Sequence, residues 1–334
     1  MNPILRPTPE STNACAYTPA GSEARMINIS FKANPDLYTD YEACLEFIRG
    51  IKDSDYGWPT QRVNFHLYSE IKNDKELLAV ESFFATQNPD HCKLILWSDY
   101  DVRDNPRLAP FRDRIDFRVF SPTEEAGGTP LDGNTAVLSA TDSKHYMISG
   151  LLRFLALYKY GGIWYDMDMV LLRDLRPILD QEFAYMWGSE TDFVGFGPCA
   201  AFMGIQKGSE HASLCIEELI KAPIQPNTVS RDHEMLAKVY QRRPFTVFPS
   251  VFFNTEWQIN CKTPGLGTAI EQGWFRKTEH SQKLFPEAFA WHWHNSSFKD
   301  RAVEPGSKFS RISDLIKTKL DPALKITAET TPHD

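Results

Sequence analysis

The sequence predicts an α/β protein built on a mostly parallel central sheet with helices on both faces. Three observations carry this. From Arg62 onward, apolar runs that suit strands (Val63–Tyr68, Lys93–Trp97, Ile115–Phe120) are separated by segments of other character, the first with a helix face at Leu77, Val80 and Phe84 that Pro89 closes. A long helical signal around Met147–Ala156 runs through Gly161-Gly162 straight into another apolar run, Ile163–Tyr165. A chain of 334 residues with 42% hydrophobic and 24% charged residues is also large enough, and ordinary enough, to bury a sizeable core.

Taken in order, residues 1–25 are polar and carry prolines at 3, 7, 9 and 19, which predicts a loosely held segment. Met26–Phe31 alternates enough for a short strand. Tyr38–Ile51 has apolar residues at 41, 44, 45, 48 and 51, the spacing of an amphipathic helix. Residues 1–61 therefore read as an N-terminal extension to a main body spanning 62–300, with 301–334 a tail holding one helix, Ile312–Leu320. Within the body, residues 121–142 are rich in Gly, Pro, Thr and Asp and read as a long surface loop, a lid or simply disordered. Beyond residue 180, Phe183–Trp187 and Ala200–Ile205 suit strands and Ala212–Ile220 and Arg231–Tyr240 helices; Phe245–Phe253 is apolar but interrupted by Pro249.

Composition excludes several roles. A net charge of −8 argues against nucleic acid as a partner and against a polybasic membrane anchor. The six cysteines (15, 44, 92, 199, 215, 261) form no CxxC pair, so they read as reduced core residues rather than a disulfide or zinc framework. The N-terminus has no apolar signal core, and the longest uncharged run, Phe193–Gln206, is too short to span a bilayer. A cytoplasmic location is expected, or delivery by a route that needs no cleavable signal.

The chemistry concentrates in Ser149–Leu172. Apolar side chains cover most of the helix cylinder, while His145, Ser149 and Arg153, four residues apart, form one polar stripe. Gly161-Gly162 ends the helix, because glycine tolerates left-handed backbone. Asp166 and Asp168 follow the strand two apart, a spacing that points both carboxylates the same way. Two converging carboxylates repel each other and stay ionised together most easily with a divalent cation between them.

This segment resembles the sugar-binding, DXD-containing region of GT-A glycosyltransferases, especially Och1-type mannosyltransferases, α-1,4-glycosyltransferases and the catalytic domains of large glucosylating toxins. Their pattern is Ser-Asp-x-x-Arg, a helix, then Gly-Gly-x-Tyr-x-Asp-x-Asp. Ser149, Arg153, Gly161, Gly162, Asp166 and Asp168 match it in register, with Trp164 in place of the tyrosine and Gly150 in place of the first aspartate. The resemblance implies a GT-A-like, Rossmann-type sheet in a catalytic domain over 62–300, divided into a nucleotide-sugar half (62–180) and an acceptor half (181–300). It implies transfer of a sugar from a nucleotide sugar, a UDP-sugar above all, with Mn²⁺ or Mg²⁺ and retention of configuration. A glycan, lipid or protein would be the acceptor. The Gly150 departure leaves open a binding protein with little catalysis, and the lack of an anchor leaves open a toxin-like protein glycosyltransferase.

Candidate site residues follow. Asp166, Asp168 and Arg153 would carry catalysis; Ser149, Arg153, Asp166, Tyr68, Trp97 and Asp99 would line the donor pocket at the carboxyl edge of the sheet. Near the C-terminus, Trp291-His292-Trp293-His294 alternates, so one pair should face the core and the other outward. Two imidazoles on one side of a strand, His292 and His294, could hold a metal or a phosphate, and Lys299 could hold a phosphate as a point charge. Family members carry a His-x-Trp stretch followed by Ser-Trp here, which implies that His292 ligates metal or touches diphosphate and that Ser297 and Phe298 stand at the Ser-Trp position. Asp232-His233-Glu234 opens a helix, where acidic side chains commonly just complement the dipole, although the trio could also hold an acceptor or a metal.

Overall fold

The computed structural model describes residues 41–139, 146–187, 197–221, 232–257 and 264–321. The strand expected at Met26–Phe31 lies outside them, as does His145. A seven-stranded sheet has the order β3-β2-β1-β4-β7-β6-β8, with β1 at Val63–Tyr68, β2 at Cys92–Ser98, β3 at Ile115–Val119, β4 at Gly162–Tyr165, β6 at Phe183–Met186, β7 at Pro198–Ile205 and β8 at Thr246–Phe248. Only β7 runs against its neighbours; the β1–β2, β2–β3, β1–β4 and β6–β8 pairs are parallel. The mostly parallel α/β fold is therefore as expected. Because β1 sits between β2 and β4, the order reverses there, and a crevice opens beyond the carboxyl ends of β1 and β4.

The helices are α1 (Tyr41–Arg49), α2 (Asp74–Thr86), α3 (Pro122–Ala126), α4 (Thr135–Leu138), α5 (Tyr146–Tyr160), α6 (Glu210–Lys221), α7 (Asp232–Arg242), α8 (Pro264–Phe275), α9 (Asn295–Phe298) and α10 (Lys308–Lys319). Asn73 starts α2 by accepting from the N–H groups of Lys75 and Glu76. The loop expected over 121–142 is instead partly helical, since Pro122 suits a first helical turn and Asn134 caps the N–H of Val137. Cys44, Cys92, Cys199 and Cys215 are buried free thiols. Among the described residues no helix is long and apolar enough to cross a membrane.

Two cores flank the sheet. One holds α2, the aromatic cluster around Phe252, Phe253 and Phe289, and α10; the other holds α5, α6 and α7. The turn from α5 into β4 is tight. Gly161 and Gly162 have φ of 63° and 108°, and a Cβ on Gly162 would lie 2.1 Å from the Asn64 carbonyl oxygen. Glycine is required on both counts, and the close approach fixes where β4 delivers the residues after it.

His66 of β1 welds this turn to the sheet. It is fully buried; Trp97 Nε1 donates to its Nδ1 (3.1 Å), so Nε2 carries the proton and donates to the Gly161 carbonyl (3.0 Å). Burial lowers its pKa from 6.5 to about 4, the carbonyl partner only partly opposing this. A folded-state pKa below the unfolded one gives stability that is whole above the unfolded value and is lost as pH falls toward the folded one. Urea unfolding should therefore show a loss of about 3 kcal/mol between about pH 7 and about pH 4 from this group. His66→Gln should remove that component, and an unchanged pH profile would count against it.

A second, two-stranded sheet pairs β5 (Met169–Leu171) with β9 (Ala290–His292), antiparallel, with Met169 opposite His292. This pairing carries the C-terminal segment back to the residues that follow β4.

Candidate active site

The residues at the switch point converge on a cavity of about 330 Å³. Asp166 and Asp168 occupy the turn between β4 and β5, and both line it. Asp166 Oδ1 accepts from Trp164 Nε1 and from Arg153 Nη2, each at 2.7 Å. The tryptophan that replaces the family's tyrosine is thus a donor to the first carboxylate, and the Arg153 guanidinium lies 5.2 Å from its ring centre. Burial raises the Asp166 pKa, Arg153 opposes this, and the neighbouring Asp168 charge adds to it.

Asp168 is held from the other side. Its Oδ2 accepts from the Asn295 N–H (2.7 Å) and lies 3.2 Å from His292 Nε2, while its carbonyl accepts from the Trp293 N–H (3.0 Å). Burial alone would raise its pKa, but His292 and the Asn295 N–H outweigh that and hold it below the ordinary carboxylate value. The Nδ1 of His292 is fixed at 3.1 Å from Tyr185 Oη, which in turn accepts from Cys199 Sγ (3.2 Å).

His294 departs from the expectation. All four residues of the Trp-His-Trp-His stretch are buried, because the strand is short and covered on both sides. At His294 the chain leaves the strand with φ 54°, and the ring stacks on His292 at 3.9 Å. Its Nε2 meets Asn254 Oδ1 at 3.0 Å, so this nitrogen does not face the carboxylates, and burial lowers its pKa well below the usual histidine value. His294 lines the cavity as a wedge between Trp257 and Trp274.

Other candidates are sorted by position. Tyr68 and Ser149 line the cavity, and Tyr68 Oη bonds Asp99 Oδ1 at 2.5 Å at its mouth. Trp97 does not reach it: in register with Tyr68 on β2, its ring is buried in the α5-side core and bonded to His66. Ser297 and Lys299 are exposed and Phe298 packs on Trp274 and Phe275, so none of the three lines the cavity; Asn295 and Ser296 do instead.

The residue whose role the sequence understated is Asp232. It opens α7, as expected, but it is 2% exposed and pairs with Arg153 Nη1. Its neighbour His233 also lines the cavity, while Glu234 is exposed as a dipole-complementing acid should be. Trp187 at the end of β6 completes the wall, edge-on to His233, His292 and His294.

Residues 73–185, from the start of α2 through β6, match the model of the glycosyltransferase sugar-binding region containing the DXD motif. Residues 73–185 are thus similar to the DXD-containing sugar-binding region of glycosyltransferases. The matched segment includes Ser149, Arg153, Asp166 and Asp168 and covers about a third of the chain. A search of curated proteins found no match. Among solved structures, the chain is similar to the apo form of the glycosyltransferase GlyE of Streptococcus pneumoniae TIGR4 (11% identity, 77% of this chain and 62% of that one, TM-score 0.47). It is also similar to the PaToxG glycosyltransferase (13% identity, 86% and 96%, TM-score 0.38) and to the WbbM bifunctional glycosyltransferase (11%, 79% and 52%, 0.45). It spans 62% of the length of GlyE and 52% of that of WbbM.

Proposed function

We propose that the chain transfers a sugar from a nucleoside diphosphate sugar, UDP-linked, with a divalent cation, to a glycan, lipid or protein acceptor, retaining the anomeric configuration. One observation supports this above the others. Two carboxylates, each anchored through one oxygen, converge on a cavity beyond the carboxyl edge of the sheet at its switch point.

Among the described residues no group of three or more His, Cys, Asp or Glu side chains is arranged to hold a metal by itself. Two carboxylates alone fit a cation of the Mg²⁺ or Mn²⁺ kind, which takes one or two carboxylates and completes its shell with water and substrate phosphate oxygens. Asp166 and Asp168 would hold it, and it would supply Lewis-acid compensation for the charge that grows on the departing diphosphate. The chain's own groups set the frame. His292 and the Asn295 N–H hold the Asp168 carboxylate in one orientation, Arg153 and Trp164 hold that of Asp166, and Tyr68 borders the nucleotide side. The glycine at 150, which favoured a binding-only reading, no longer does so strongly, since the arginine one turn on has a carboxylate partner in Asp232.

The deciding experiment measures UDP released from a panel of UDP-sugars with Mn²⁺, with EDTA, and with Ca²⁺ in place of Mn²⁺. Release that EDTA stops and Mn²⁺ restores better than Ca²⁺ supports the reading; UDP binding without release from any donor would favour a binding protein. Labelling of a lysate then separates protein acceptors from glycans and lipids. In the same system His292→Ala should weaken calorimetric binding of UDP with Mn²⁺ by about 1–3 kcal/mol, the worth of a contact to a charged group. His294→Ala should weaken it less, since its Nε2 is turned to Asn254. Equal, negligible effects would leave both histidines structural.

A further inference from the structure

Arg153 and Gly150 lie three apart on α5, so they sit one above the other on the helix surface. Glycine there leaves the arginine without an acid from its own helix. The acid comes from α7, 79 residues further along the chain. Arg153 bridges Asp166 on one side and Asp232 on the other, and all three side chains line the same cavity.

A purely architectural role does not account for Asp232. An acid that only complements a helix N-terminus works at the surface, as Glu234 does two residues on. Taking a carboxylate out of water is costly unless it is paired, and the partner of Asp232 is Arg153, itself on the cavity wall. Three carboxylates and one guanidinium also leave this wall with a net charge of −2, where Asp166 and Asp168 with Arg153 alone would leave −1. The position is built rather than incidental. Gly197 has φ 84° and no room for a Cβ, which would lie 2.5 Å from the His233 carbonyl, and His233 Nδ1 meets the Pro198 carbonyl at 3.0 Å. The first turn of α7 is thereby pressed against the start of β7.

We infer that Asp232 is a specificity-determining residue for the donor sugar, supplying from α7 a carboxylate beside Arg153 where α5 has none. The inference rests on the nucleotide-sugar reading given above. A carboxylate only accepts hydrogen bonds and a guanidinium only donates them. Set side by side, Asp232 and Arg153 match a pyranose carrying adjacent free hydroxyls, each of which donates and accepts. The Ser149 hydroxyl borders the same space. The ligand class is therefore the hexose moiety of the donor, read from the acceptor-half side of the cavity.

The test is calorimetry of UDP alone and of UDP-glucose, UDP-galactose and UDP-N-acetylglucosamine, all with Mn²⁺, alongside thermal melts. Asp232→Asn should leave UDP affinity within about twofold, weaken the preferred UDP-sugar by about tenfold or more, and flatten the preference among the three. The double variant Gly150→Asp with Asp232→Asn returns a carboxylate to the neighbourhood of Arg153 from α5 and should recover part of the lost sugar affinity. Asp232→Glu keeps the charge but moves it by one methylene, and should shift the preference without touching UDP binding; it decides the matter if Asp232→Asn does not fold. Equal losses for UDP and UDP-sugar, or an unchanged preference in Asp232→Glu, would overturn the inference and leave Asp232 a charge-balancing group. A wild type that binds neither UDP nor any UDP-sugar would instead overturn the donor reading beneath it.

Discussion

Asp168→Asn should lower sugar transfer by at least about two to three orders of magnitude while the protein stays folded. The asparagine keeps the shape of the side chain and its carbonyl oxygen can still accept from the Asn295 N–H, now at 2.7 Å from Asp168 Oδ2. Its amide group then replaces an anionic oxygen, and the cavity loses the charge that would balance a cation and a departing diphosphate. His292, 3.2 Å from Oδ2, keeps its tether to Tyr185. UDP release in Mn²⁺ and circular dichroism measure the two halves of this expectation. A variant that turns over donor at the wild-type rate would remove Asp168 from the site.

Arg153→Met should cost about 3–5 kcal/mol of folding stability as well as activity. Removing one member of a buried ion cluster leaves the others uncompensated, here Asp232 and Asp166, with side chains 3% and 28% exposed. Arg153→Lys should not restore function, because a single ammonium cannot span two carboxylates as the planar guanidinium does. Adding Asp232→Asn to Arg153→Met should recover part of the stability, since it removes the more deeply buried of the two stranded charges. Urea unfolding near neutral pH reads all three variants; a loss below about 1 kcal/mol for Arg153→Met would show the cluster to be solvated.

The parts of this site that sequence made legible are those encoded within one short span. Ser149, Arg153, Gly161, Gly162, Asp166 and Asp168 lie close enough that helix periodicity, a glycine stop and strand alternation place them relative to each other. The alternation of strands and helices likewise gave the parallel sheet. What stayed hidden depends on long-range placement. Nothing in the sequence around Asp232 distinguishes a surface dipole acid from one that crosses to an arginine on another helix, so the commoner reading prevailed. Trp97 looked like a pocket residue from its strand-end position, but the side chain faces the α5 core and serves His66. His292 and His294 look equivalent by alternation, yet the chain turns left-handed at His294, whose Nε2 meets Asn254 while its ring stacks on His292. Residues 297–299 missed the cavity because α9 begins at Asn295 and turns their side chains away, leaving Asn295 and Ser296 in their place.

The β5–β9 pair has a consequence for how the molecule is made. A ribosome releases α5, β4 and both aspartates before β6, β7 and β8, and the seven-stranded sheet is complete in sequence once β8 has emerged. The N–H that holds Asp168 comes from Asn295, 127 positions later, and reaches it only when β9 has docked on β5. A nascent or truncated chain ending before Ala290 can therefore build most of its scaffold while Asp168 lacks its orienting partners. Such a fragment should be silent in donor turnover, and a separate peptide spanning β9 and α9 should revive it if the small sheet assembles between two chains. Chain order thus acts as a timer, withholding competence until the segment through Asn295 has been made.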